Sequence, residues 1–149
     1  LLQDSFGLAS VIPRKVTVNW YSANCTIRYK NSWVIAECDD SIITYYRWWV
    51  KRLTWKKIST SFHGPHISIV IGSRKNNKKS FVIDKEAIKR YDGLVVPFQY
   101  SGEIEFDNRE DGIYYWLPVK DNDCFNEIRE AAGFKTENKY HLTIGYYQK

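Results

Sequence analysis

At 149 residues, with 44% hydrophobic, 16% aromatic and 26% charged positions, the chain has the composition of one domain with its own core, which excludes a disordered or low-complexity protein. A domain of this length buries roughly two thirds of the surface that its unfolded chain exposes, so neither disulfides nor a metal are needed to hold it. The net charge of +5 points toward a polyanionic partner, although basic charge by itself serves solubility equally well.

In chain order, the opening third alternates short β-prone runs with turn residues: Val16 to Trp20, Cys25 to Tyr29 and Trp33 to Ala36, a small antiparallel meander. Asp39, Asp40 and Ser41 then offer capping side chains. The apolar residues that follow, Ile42, Ile43, Tyr46, Trp49, Val50 and Leu53, fall at three- and four-residue spacing and predict a first helix with one core stripe. His66 to Gly72 reads as a buried strand and Ser73 to Ser80 as a loop. The second half offers a short helix over Asp84 to Tyr91, then strands around Leu94 to Tyr100, Glu103 to Phe106 and Ile113 to Val119. A helix from Asp123 to Ala132 stops at Gly133, and Tyr140 to Tyr147 forms a last strand.

Cys25, Cys38 and Cys124 form no C-x-x-C pair, so the sequence indicates neither a disulfide framework nor a zinc site, and the thiols read as small buried groups of a reducing, cytoplasmic compartment. No run approaches the roughly 18 apolar residues of a membrane span, and the first residues lack the order of a signal peptide. The lack of any Met suggests a chain that begins after the true start. No membrane and no obligate protein partner are expected.

The chemistry lies in two triplets, His66-Ile67-Ser68 and His141-Leu142-Thr143, each leading through isoleucine toward a glycine. On a strand, residues two apart share a face, so each imidazole projects with its hydroxyl while Ile67 and Leu142 point the other way. Two facing imidazoles with two hydroxyls suit a phosphodiester: one neutral ring takes a proton from the attacking oxygen, one imidazolium donates to the leaving oxygen, and the hydroxyls hold the non-bridging oxygens. Histidine reaches both protonation states near neutral pH. A single H-x-S is common by chance; the weight here comes from two matching triplets among only three histidines, one in each half. His63 reads as a loop residue.

With PHISIVIG at Pro65 to Gly72 and YHLTIGY at Tyr140 to Tyr146, the chain resembles the two-histidine (2H) phosphoesterases, which include the LigT-like RNA phosphodiesterases. The resemblance covers most of residues 40 to 149, including the strand and helix of YYWLPVKDNDCFNEIREAAGF; Ser68 stands where the family more often has Thr. It implies an α+β fold of two pseudo-symmetric lobes, about 1–73 and about 84–149, within one domain, around a central cleft with antiparallel sheets inside and helices outside. It implies His66 and His141 as catalytic residues, Ser68 and Thr143 as phosphate-binding residues, and no metal or other cofactor. Length and charge also look like the short phage members of the family that degrade cyclic di- and trinucleotide signals of the CBASS antiviral defence. That likeness would make the substrate a cyclic oligonucleotide in a host cytoplasm. A short RNA, cut at an end or at a 2′,3′-cyclic phosphate, is the alternative, and a catalytically silent RNA-binding protein is a third.

Aromatic residues beside cations offer stacking surfaces for bases. Tyr45 and Trp48 on the first helix, with Arg47, Lys51 and Arg52 around them, are candidates, as are Trp20, Tyr21, Trp116, Tyr140 and Tyr146. By strict alternation Tyr147 shares the parity of His141, whereas Tyr140 and Tyr146 do not. Arg74 to Lys79 reads as a solvated loop able to attract phosphate.

Overall fold

The fold is described from a computed structural model over residues 18–30, 33–61, 63–71, 85–136 and 139–149. Gly72, the basic run Arg74 to Lys79, and the starts of the first expected strand at Val16 and of the second expected helix at Asp84 lie outside the described residues.

Strands β1 (Trp20–Lys30), β2 (Trp33–Glu37), β3 (His66–Val70), β4 (Val95–Ser101), β5 (Glu105–Asn108), β6 (Gly112–Val119) and β7 (Tyr140–Gln148) form one antiparallel sheet in the order β4-β1-β2-β3-β7-β6-β5. A further pairing, Tyr100 with Val119, joins β4 to β6. Helices α1 (Asp40–Thr54), α2 (Lys85–Lys89) and α3 (Asp123–Ala131) complete an α+β fold. None of them is long and apolar enough to cross a membrane.

The two motif strands are neighbours at the middle of the sheet, and each is preceded by two paired strands and a helix: β1, β2, α1 before β3, and, after α2 and β4, β5, β6, α3 before β7. The halves interlock, because α1 lies against β7 and α3 against β3. Both helices start on side-chain caps, the Asp39 carboxylate accepting from the Ser41 N–H at 2.7 Å and the Asn122 Oδ1 accepting from Cys124 and Phe125. The core lies between the helices and one face of the sheet, where Ile27, Ala36, Ile67, Leu117, Leu142, Phe125 and Ile128 are fully or almost fully buried. Burying each of the larger of these side chains stabilises the fold by roughly 1.5 to 3 kcal/mol.

Three expectations change. Trp20, the end of the first expected strand, and Cys25 to Tyr29, the second, lie in one strand: β1 runs unbroken through Ser22 and Asn24 because β4 pairs with it from Trp20↔Ser101 to Thr26↔Val95. The stripe on α1 is narrower than its spacing suggests, with Ile43, Tyr46 and Val50 buried but Trp49 37% and Leu53 69% exposed, because the helix rests on the sheet along one line. The strand expected at Glu103 begins two residues later, at Glu105.

Each motif strand carries a β-bulge one residue beyond its hydroxyl. On β3, Ile35 opposes Ser68 while Val34 opposes Val70, so Ile69 is the extra residue. On β7, Trp116 opposes Thr143 while Tyr115 opposes Gly145, so Ile144 is extra. A bulge leaves a residue outside the ladder, and the other half of the chain makes a contact at or just beyond each one. Arg129 of α3 donates to the Ile69 carbonyl at 2.6 Å, and Ser59, after α1, exchanges two backbone hydrogen bonds with Tyr146. The second contact requires glycine at 145, since a Cβ there would collide with the Ser59 carbonyl oxygen and stand 2.7 Å from Ile58 Cγ2. Gly145→Ala should therefore cost about 1 to 3 kcal/mol, the usual penalty of overpacking. Urea unfolding reads it; an unchanged midpoint would mean that the Ser59 segment does not press on β7.

Candidate active site

The site is set by one cross-strand pair. Ile67 of β3 lies opposite Leu142 of β7, both wholly buried on the helix-covered face. Alternation then puts His66, Ser68, His141 and Thr143 together on the opposite face. In antiparallel register the positions flanking that pair set His66 beside Thr143 and Ser68 beside His141. Direct neighbours of this kind have Cβ atoms about 5 Å apart and diagonal ones, such as the two histidines, roughly 7 to 8 Å apart. A phosphodiester group fits between groups at that separation.

His66 is 5% exposed, and its Nδ1 lies 2.8 Å from the Gly64 carbonyl. A carbonyl only accepts, so Nδ1 carries the proton and Nε2 carries the lone pair of the neutral ring. Gly64 supplies that carbonyl from a turn closed by its own N–H on the Ser61 carbonyl, at a φ of 70° that glycine adopts without strain. Burial pushes the His66 pKa below the ordinary histidine range, with the charges of His63 and Lys30 acting the same way and the Gly64 bond opposing them. Burial and neighbouring charge thus favour the neutral ring.

His141 is exposed and lies flat on Trp116, with ring centroids 4.9 Å apart and planes 5° from parallel. Stacking of this kind fixes the imidazole plane. The two rings border an open pocket of 490 Å³, with Trp20, Glu105, Pro118, Lys120 and Lys139 around it. The Lys120 ammonium stands 5.9 Å from the Trp20 ring. A larger hollow of 610 Å³ lies by α1, lined by Tyr21, Tyr45, Trp49, Leu53 and Glu103, and contains no imidazole.

Of the residues expected to touch substrate, the structure brings the four motif side chains to one face, with Ser68 and Thr143 half-buried, and adds Trp20 and Trp116. It does not bring Tyr147 or Trp48 there, and Tyr140 borders the His141 pocket only as a buried residue. The bulge at Ile144 reverses the parity of β7 beyond Thr143, so Tyr147 pairs with buried Ile113 on the core face and Tyr146 pairs with Tyr114 on the motif face. Tyr140 is 3% exposed, stands edge-on to Phe125 and donates its hydroxyl to Asn126 of α3 at 2.7 Å, so its ring is committed to the core. Trp48 and Tyr45 are exposed on α1, whose buried Tyr46 stands edge-on to Tyr100 of the core face. The helix therefore lies across the sheet from the histidines.

Sequence reading placed His63 in a loop, as the structure does, but not its contacts: its ring centroid lies 5.4 Å from that of His66 and 5.4 Å from that of Trp33. It also missed the cluster of Arg28, Lys30 and Glu37 on the same face. Among the described residues no group of three or more His, Cys, Asp or Glu could hold a metal ion. The cysteines are free, and burial raises all three thiol pKa values, that of Cys25 to about 12, so none is a poised nucleophile. No family model, curated protein or solved structure matches the chain.

The environment of His66 has a measurable consequence. Its folded pKa lies below its unfolded one, so between the two the unfolded chain binds more protons; this contribution to stability is complete above the ordinary histidine pKa of about 6.5 and is lost as pH falls through the lowered folded value. NMR titration of the ring should give a midpoint below that of a free histidine. A midpoint at or above it would contradict the buried, neutral ring.

Proposed function

We propose that this protein is a phosphodiesterase that works without a metal, with His66 as the general base and His141 as the general acid. The observation that carries the reading is the register Ile67↔Leu142, which gathers both H-x-Ser/Thr triplets on one sheet face. The repeated element order on either side of that pair supports two lobes facing a cleft, the arrangement implied by the resemblance to 2H phosphoesterases.

On this reading the substrate is a 3′–5′ linkage with a free 2′-hydroxyl, in a cyclic di- or trinucleotide signal. His66 Nε2 takes the proton of the 2′-hydroxyl as its oxygen attacks the adjacent phosphorus. The bond from phosphorus to the 5′ oxygen breaks, and that oxygen leaves with the proton of the His141 imidazolium. The product carries a 2′,3′-cyclic phosphate, which water can later open with the roles of the two rings exchanged. Ser68 and Thr143 donate to the non-bridging oxygens, whose charge grows in the transition state. Trp116 holds the plane of His141, and attack within one molecule gains from proximity.

Incubation with cyclic dinucleotides and short RNAs in excess chelator, with products identified by mass spectrometry, tests the reading. His66→Ala and His141→Ala should each reduce turnover about 10²- to 10⁴-fold, the usual contribution of a positioned acid or base. A cyclic dinucleotide with 2′-deoxy sugars should bind and remain uncut. Equal cleavage of deoxy and ribo substrates would mean that water or a protein group attacks directly, and turnover that requires an added divalent ion would exclude the metal-free route.

A further inference from the structure

Beside His66 the motif face carries a second set of ligand-grade groups that the two-histidine chemistry does not use. Glu37 of β2 lies directly opposite His66, and the pairs Thr26↔Glu37, Arg28↔Ile35 and Lys30↔Trp33 place Arg28, Lys30, Trp33 and Glu37 on the histidine side of the sheet. Glu37 accepts from Arg28 Nε at 3.0 Å and from Lys30 Nζ at 3.1 Å. Burial works against its charge, but those two bonds outweigh it and hold the carboxyl below the ordinary range, so Glu37 is an anion. It occupies one of the five N–H donors of Arg28 and one of the three of Lys30. Two cations against one carboxylate leave a net positive charge, and the cationic side chains are 42% and 48% exposed. Strands lie about 4.8 Å apart, so β1 stands roughly 10 Å from β3, within reach of the next phosphate of a nucleotide whose first phosphate is at His66. Trp33 and His63 have ring centroids 5.4 Å apart, and His63 stands at the same separation from His66, so a run of rings borders this cluster. Indole and imidazole faces of this kind accept a base.

We propose that Arg28 and Lys30, with Trp33, form a subsite for a second phosphate and its nucleoside. The substrate is then an oligonucleotide with at least two phosphodiesters and not a mononucleoside cyclic phosphate. The inference rests on the reading that His66 handles the reacting phosphodiester. Glu37 shares the two cations with the incoming phosphate and limits how tightly it is held.

The test is calorimetric binding to the protein carrying His141→Ala, which prevents turnover, with two probes: a cyclic dinucleotide and a nucleoside 2′,3′-cyclic phosphate. Adding Arg28→Ala with Lys30→Ala should weaken the dinucleotide roughly ten- to hundredfold, the scale of lost charge-assisted hydrogen bonds, and change the mononucleotide less than about threefold. Glu37→Gln keeps both cations and should bind the dinucleotide at least as tightly as its parent. Equal losses for the two probes, no loss for the dinucleotide, or a loss in Glu37→Gln matching that of the double variant would make the cluster a structural brace and overturn the subsite. A dinucleotide bound selectively through Arg28 and Lys30 but left uncut by the unmodified protein would support the subsite while removing the catalytic reading. Cleavage with no dependence of affinity on Arg28 and Lys30 would do the reverse, and binding of neither probe would remove both.

Discussion

Everything in the site follows from the burial of Ile67 against Leu142. Both side chains are wholly buried, and they are partners on adjacent antiparallel strands. Side chains alternate strictly along a strand, so a slip of one residue in either strand would turn an isoleucine or leucine toward the motif face and press an imidazole into the core. Each of those exchanges costs several kcal/mol, counting lost apolar burial and an unsatisfied polar ring. The hydrophobic core thus fixes the register, and the register fixes which imidazole stands beside which hydroxyl.

The two bulges sharpen this arrangement. Beyond Ser68 and Thr143 the strict alternation ends, which lets Ile69 and Val70 both turn inward and lets Gly145 approach the Ser59 segment. Beside each bulge the opposite half of the chain makes a contact, Arg129 with the Ile69 carbonyl and Ser59 with the backbone of Tyr146. The motif strands are therefore braced across the middle of the sheet. The two imidazoles then meet different environments on the same face: His66 is buried, donates to the Gly64 carbonyl and sits within the influence of His63 and Lys30, whereas His141 is exposed and stacked on Trp116. Burial and neighbouring charge thus distinguish two identical side chains, an asymmetry of the kind that the proposed base and acid require.

Much of this was legible in the sequence. The paired triplets named the four central residues, three- and four-residue spacing located α1, and Asp39, one of the capping residues offered, sits at its start. What stayed hidden depends on contacts distant in the chain. Tyr147 follows His141 by an even number of residues, yet the extra residue at Ile144 turns it to the core, and no local pattern announces a bulge in a run of apolar residues. Trp49 and Leu53 continue the helical stripe but pass the edge of the contact with the sheet, which only the packing defines. Arg28, Lys30 and Trp33 join the histidine face through the register of β1 with β2 and of β2 with β3, and His63 through a turn whose geometry depends on Gly64.

The most direct test of two imidazoles acting on one phosphodiester is the dependence of turnover on pH, measured in chelator with a ribo cyclic dinucleotide. One ring must begin neutral and the other protonated, so the rate should rise and then fall with pH, with two apparent pKa values that belong to the pair. A rate that climbs steadily from about pH 5 to about pH 9 would point to a single base or a metal-bound hydroxide, and would contradict the account.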